Sequence, residues 1–127
     1  MEPAQNCIFC RIAAGHSPAQ VEYRDDEVVV FWDIQPNAPI HLLIVSKKHI
    51  PTLREAEASD APLLGKMLLT AHEVAKRKGF DQEGYRVVVN TGTNADQVVD
   101  HLHFHILAGA ALGAMTSAKG NPVSQFG

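Results

Sequence analysis

Long apolar runs are missing from this sequence: none approaches the roughly 20 residues that a membrane-spanning helix requires. The opening Met1 to Asn6 is polar where a secretory signal would be apolar, so a cytoplasmic protein with no membrane partner is expected. Basic charge is also in short supply. Eleven lysines and arginines against fourteen aspartates and glutamates leave a formal net charge of -3. That argues against a nucleic acid polymer as partner, since such binding rests on neutralising many phosphates, whereas a small phosphate ligand needs no excess of cations. Cysteine occurs only twice, at Cys7 and Cys10. Two are too few for a disulfide framework, and their closeness suggests a metal or redox pair.

What is present fits one domain spanning 1–127, because this length buries a real core and leaves little for a second. With 46% hydrophobic and 20% charged residues, neither disorder nor a fibrous repeat is indicated. Residues 7–14 read as a short N-terminal helix ended by Gly15 and Ser17-Pro18. Val21 to Tyr23 and Val28 to Trp32 flank the turn Asp25-Asp26-Glu27 and predict a hairpin. After the prolines Pro36 and Pro39, the unbroken apolar run His41 to Val45 predicts a central strand. Over Asp60 to Lys78, Leu63, Leu64, Met67, Leu68, Ala71, Val74 and Ala75 recur at helical spacing; Ser59 or Asp60 can cap the start and Gly79 can end it. Strands are expected again at Tyr85 to Asn90 and Asp100 to Leu107, and 108–127 reads as an irregular tail. This order is α+β, with five strands in a largely antiparallel sheet, one long helix and a short N-terminal helix, since parallel pairs would want a helix at every crossover.

The stretch His101-Leu102-His103-Phe104-His105-Ile106-Leu107 alternates imidazole with apolar side chains. In a strand, that period sends His101, His103 and His105 to one face and the apolar residues to the core. Neighbouring histidines then lie about 6.6 Å apart, so one phosphate can touch two of them. A neutral imidazole is a competent nucleophile, and displacement at phosphorus needs mainly alignment and charge stabilisation, so no cofactor is required for catalysis. A solvated polar face or a purely metal-binding face would give the same alternation. The phosphorus reading therefore demands a ring that faces open space. His16 and His72 lie outside any pattern and read as surface residues.

His-x-His-x-His followed by Ile106-Leu107 resembles the signature of the histidine triad family, most closely its Hint-like bacterial branch. The likeness runs through Cys7-Ile8-Phe9-Cys10, Phe31 to Pro39, Lys47-Lys48-His49-Ile50, Gly84 to Asn90, and the tail from Leu107 through Leu112-Gly113 to Lys119-Gly120. The resemblance implies a homodimer with one sheet continuous across both subunits, binding a purine nucleoside monophosphate or phosphoramidate. It implies that His103 attacks the α-phosphorus and that water resolves the nucleotidyl-histidine intermediate. His105 would bond the phosphate or protonate the leaving group, and His41 would orient the nucleophile. Asn90 and Gln97 would bond ribose and phosphate oxygens, Asp33 the ribose hydroxyls, and Ile8, Phe9, Ile12, Phe31, Ile34 and Leu43 would form the base pocket.

Cys7 and Cys10 with two histidines would complete a tetrahedral zinc site. Spacing alone does not choose two histidines from seven; the resemblance supplies His49 and His101. A thioredoxin-like redox pair would want a preceding strand, and none is read here. The sequence departs from the family at Asp96, where glycine is usual, adding negative charge near the expected phosphate. Val98 removes a potential phosphate donor, and Ala108 and Ala110 stand where Gly-Gly-Arg often begins the tail. Two further readings stay open: a dinucleoside polyphosphate hydrolase of the same family, and a nucleotide-binding regulatory protein without catalysis.

Overall fold

The side-chain alternation of the strands sorts their apolar residues onto two faces, and both faces find cover. A computed structural model describes residues 6–114; of the tail expected over 108–127, residues 115–127 lie outside the described residues. The main elements are α1 (Ile8–Ala13), β1 (Val21–Arg24), β2 (Val28–Trp32), β3 (Ile40–Ser46), α2 (Ala61–Lys78), β4 (Arg86–Val89) and β5 (His103–Ala108). The strands form a five-stranded sheet in the order β1-β2-β3-β5-β4, with every neighbouring pair antiparallel. The α+β architecture expected from the sequence is therefore the one observed.

On one face, Val28, Val30, Leu42, Ile44, Phe104 and Ile106 pack against Met67, Ala71, Val74 and Ala75 of α2. Each such buried side chain contributes about 1.5–3 kcal/mol of transfer free energy, which makes this layer the main source of stability. On the other face, Val29, Phe31, Leu43 and Val45 meet Cys7, Phe9, Cys10 and Ile12. That second cover, α1, is only six residues long. A helix of this length spans about 9 Å, so it shields part of the sheet and leaves room beside it.

Several expectations need correcting. Leu68 belongs to the helical stripe by spacing but is 49% exposed, and Thr70 takes a buried place instead. Neither Ser59 nor Asp60 caps α2 through its side chain. Asp60 ends a short 3-10 turn, and its carboxylate accepts from the Glu57 N–H at 2.9 Å and from Lys48 Nζ at 2.6 Å. Gly79 does close the helix, in the left-handed conformation at φ 85°. His72 is exposed but engaged: the Tyr85 hydroxyl lies 2.6 Å from its Nδ1. Most important for function, β5 begins at His103, not at Asp100. The His101 N–H bonds the Val99 carbonyl and the Leu102 N–H bonds the Ile50 carbonyl, and this turn takes His101 out of the strand ladder.

Candidate active site

Antiparallel register fixes which histidines meet. His103 pairs with Val45, His105 with Leu43, and His41 with Leu107. Paired residues share a face, so His41, His103 and His105 all project on the side that α1 only partly covers. The result is a line of rings: the His41 and His105 centroids are 5.1 Å apart, those of His103 and His105 5.0 Å, and Phe9 meets His103 edge-on at 5.0 Å.

Backbone groups decide where each proton sits. The Asn37 N–H donates to His41 Nδ1 at 3.0 Å, so the hydrogen of a neutral His41 is on Nε2. That Nε2–H donates to His105 Nδ1 at 2.8 Å, which leaves the His105 hydrogen on Nε2. His103 Nδ1–H donates to the His101 carbonyl at 2.6 Å, and the Nε2 lone pair is left for chemistry. The ring expected to orient His103 was His41; instead His41 holds His105, and the partner of His103 is the His101 carbonyl.

Burial keeps these rings neutral. It pushes His105 down to about 3, reinforced by the neighbouring His103 and His41. His41 and His103 are lowered by burial too, against a partial counter-effect of Asp33 on His41, and of the His101 carbonyl and then Asp33 on His103. Asp33 Oδ2 lies 3.5 Å from His41 Nε2. Because burial outweighs that attraction, the contact is a long polar one and not an ion pair. Asp33 Oδ1 accepts from the Gln35 N–H at 2.8 Å, which fixes the carboxylate on the loop after β2.

His103 and His105 open onto a cleft of about 700 Å³, behind which His41 is fully buried. His103 is only 3% exposed and His105 only 1%, yet both line it. His105 Nε2 is buried with no partner among the described residues. Of the residues expected around a base, Ile8, Phe9, Ile12, Phe31, Ile34 and Leu43 all line the cleft, as do Asp33, Asp96 and Val98. Ile34 is no core residue, being 93% exposed on the rim.

Asn90 and Gln97 are placed differently from the rest. Neither is in the cleft lining. Asn90 Nδ2 donates to the Ala95 carbonyl at 2.8 Å. Gln97 donates through Nε2 to the Pro51 and Val99 carbonyls, each at 2.9 Å, and accepts from the Gly92 N–H at 3.1 Å. Both side chains thus hold the loop that carries Asp96 and Val98. Sequence reasoning also missed Asn37 and the carbonyl of His101, because backbone groups act whatever the residue type.

A second cluster stands at the N-terminal end of the histidine run. Cys7 Sγ lies 3.3 Å from His101 Nδ1, Cys10 Sγ 3.1 Å from His49 Nδ1 and 3.4 Å from His101 Nδ1, and the two Nδ1 atoms are 3.1 Å apart. All four donor atoms fall within 4.8 Å of one another. Tetrahedral zinc, with bonds of about 2.0–2.3 Å, has ligand-to-ligand edges of about 3.3–3.8 Å, and these four distances come within a few tenths of an ångström of that range. His101 Nε2–H donates to the Ser46 carbonyl at 2.7 Å, leaving Nδ1 as the ligand atom with its outer hydrogen bond already made. Neither cysteine is in a disulfide.

Residues 6–120 match a family model described as scavenger mRNA decapping enzyme C-term binding. The chain is 49% identical over 102 residues to protein HitA of Neisseria gonorrhoeae, covering 80% of this chain and 94% of that one. It is 38% identical over 117 residues to the purine nucleoside phosphoramidase of Escherichia coli K12, covering 92% of this chain and 98% of that protein. Among solved structures, a histidine triad protein from Clostridium difficile superposes with a TM-score of 0.86 at 42% identity, covering 87% of this chain and 96% of that one. A HIT family hydrolase from Legionella pneumophila gives 0.83 at 42% identity, with 85% and 96% covered.

Proposed function

The chain belongs to the histidine triad family, and from that premise we propose that it is a nucleotide-binding hydrolase that cleaves purine nucleoside phosphoramidates. One observation carries the catalytic part of this reading. His103 has its Nδ1–H tied to the His101 carbonyl and its ring on the cleft, beside a His105 Nε2–H with no partner among the described residues.

In the reaction, His103 Nε2 bonds the α-phosphorus as the P–N bond to the amine breaks. The departing nitrogen takes up one proton and leaves as the amine. Water then adds to phosphorus, releases His103 and gives up one proton, so one water is consumed overall. His105 Nε2–H serves this sequence by bonding a phosphate oxygen or the departing atom, which aligns the displacement and offsets developing charge. His41 acts as a positioning residue for His105. The apolar wall of Phe9, Phe31 and Leu43 receives the base, and Asp33 the ribose hydroxyls, as small-ligand sites combine apolar walls with a few placed polar groups.

The whole of 1–127 is read as one domain in a cytoplasmic homodimer. In support of the dimer, β4 is an edge strand, and Arg86 Nη1 and Asn90 Oδ1 are buried without partners among the described residues. Leu69 of α2 is also 70% exposed. Zinc bound by Cys7, Cys10, His49 and His101 would tie α1 to the start of β5 as a structural ion. Among the described residues, no helix is long and apolar enough to cross a membrane.

Mass spectrometry of protein quenched during turnover of an adenosine phosphoramidate tests the mechanism. A nucleotidyl adduct on His103 is expected, absent in His103→Ala. Turnover by His103→Ala at the parental rate would overturn it.

A further inference from the structure

The cleft is short of cations. Its lining holds two carboxylates, Asp33 and Asp96, two neutral histidines, and no lysine or arginine among the described residues. Asp33 is engaged by the Gln35 N–H and faces His41. Asp96 is different. Among the described residues no ion pair or hydrogen bond occupies its carboxylate, and it is the one non-glycine residue with positive φ, at 62°. Aspartate tolerates that left-handed conformation better than most side chains.

The loop does not let Asp96 drift. Its N–H bonds the Thr93 carbonyl at 3.0 Å, the Gln97 N–H bonds the Gly92 carbonyl at 3.2 Å, and the Gln97 side chain anchors the next turn to Pro51 and Val99. The backbone that carries this exposed carboxylate is therefore held in place at the cleft that holds His103 and His105.

Every substrate of the proposed reaction brings the same anionic α-phosphorus group, so the penalty that Asp96 places on that group is common to all of them. What varies is the charge on the leaving group. We infer that Asp96 makes the cleft a charge filter on the leaving group, favouring departing amines that carry a positive charge and rejecting those that add negative charge, further phosphates above all. This rests on the proposed nucleotide site and names its substrate class: nucleoside phosphoramidates of cationic amines. At about 8 Å and an effective dielectric constant near 40, one unit charge opposite Asp96 changes affinity about fivefold.

The test uses binding, so that it does not depend on turnover. Three unreactive alkyl esters of adenosine 5′-monophosphate, ending in an ammonium, a methyl or a carboxylate group, are titrated calorimetrically into the full chain at low ionic strength. The expected order is ammonium, then methyl, then carboxylate, with about fivefold between successive members. Asp96→Asn, which keeps the left-handed tolerance, should shrink the span between the end members by at least about fivefold, and high salt should compress it similarly. Equal binding of the three esters, a reversed order, or an unchanged span in Asp96→Asn would overturn the charge filter and leave the nucleotide site standing. If none of the three binds, the nucleotide reading falls and the filter falls with it.

Discussion

Acidification should weaken this fold through His105 well before its carboxylates are protonated. In the unfolded chain that ring takes a proton near 6.5; in the folded protein burial pushes it down to about 3. Between those values the unfolded state binds more protons, so stability falls as the pH falls. Each unit below 6.5 costs about 1.4 kcal/mol, so the loss on going from neutrality to about pH 5 is about 2 kcal/mol from this residue. Burial shifts His41 and His103 in the same direction, so their contributions add with the same sign. Carboxylates lowered by partners, such as Asp25 and Asp60, lose their contribution only below their unfolded value of 3.8, outside this window. Urea titrations at the two pH values, on the parent and on His105→Asn, isolate the effect. Asparagine is chosen because its carbonyl can still accept from His41 Nε2–H. The parent should lose about 2 kcal/mol more than the variant across the interval. Parallel losses would show that His105 is not held neutral by the fold, and the tautomer chain through His41 would lose its basis.

Removing the metal set should act on stability first: Cys10→Ser should abolish one equivalent of zinc per chain by elemental analysis and lower the melting temperature by at least about 10 °C. Gly109→Ala should cost about 2 kcal/mol in urea titrations, because φ is 94° there and an added Cβ would stand 2.9 Å from Pro39 Cβ and 3.4 Å from the Ile40 nitrogen. If the proposed dimer forms through α2, Leu69→Glu should leave the monomer fold intact by circular dichroism and raise the dimer dissociation constant at least about 100-fold in sedimentation experiments.

The long helix, the buried central strand and the alternating histidines were legible because each is a local periodicity, and one face of a helix or strand is a local property. His49 and His101 were not, since they come together only when the chain has folded across 52 residues. Strand pattern extended β5 back to Asp100, because alternation alone does not register the turn that the Ile50 carbonyl imposes at Leu102. The resemblance set Asn90 and Gln97 beside the ligand; in the structure Asn90 Nδ2 and the Gln97 amide bond loop groups, while Asn90 Oδ1 has no partner among the described residues. Ile34, set in the base pocket by the resemblance, stands on the rim of the cleft. For His49, His101 and the start of β5, a long-range contact or a backbone group decided the outcome, and neither carries a residue-level signal.

Strand β5 lies inside the sheet, hydrogen bonded to β3 on one side and β4 on the other. His105, paired with Leu43 and Val88, is therefore mounted where amides should exchange most slowly with solvent deuterium, because moving it means opening two ladders at once, while His103 is held by the β3 ladder alone. The sheet thus fixes the backbone under these rings, and adjustment to a new ligand is left to the segments around them, such as the turn bearing Asp96 and the stretch from Asp33 to Pro39. Divergence in this fold can then rewrite what is accepted while the histidines stay where the strand puts them.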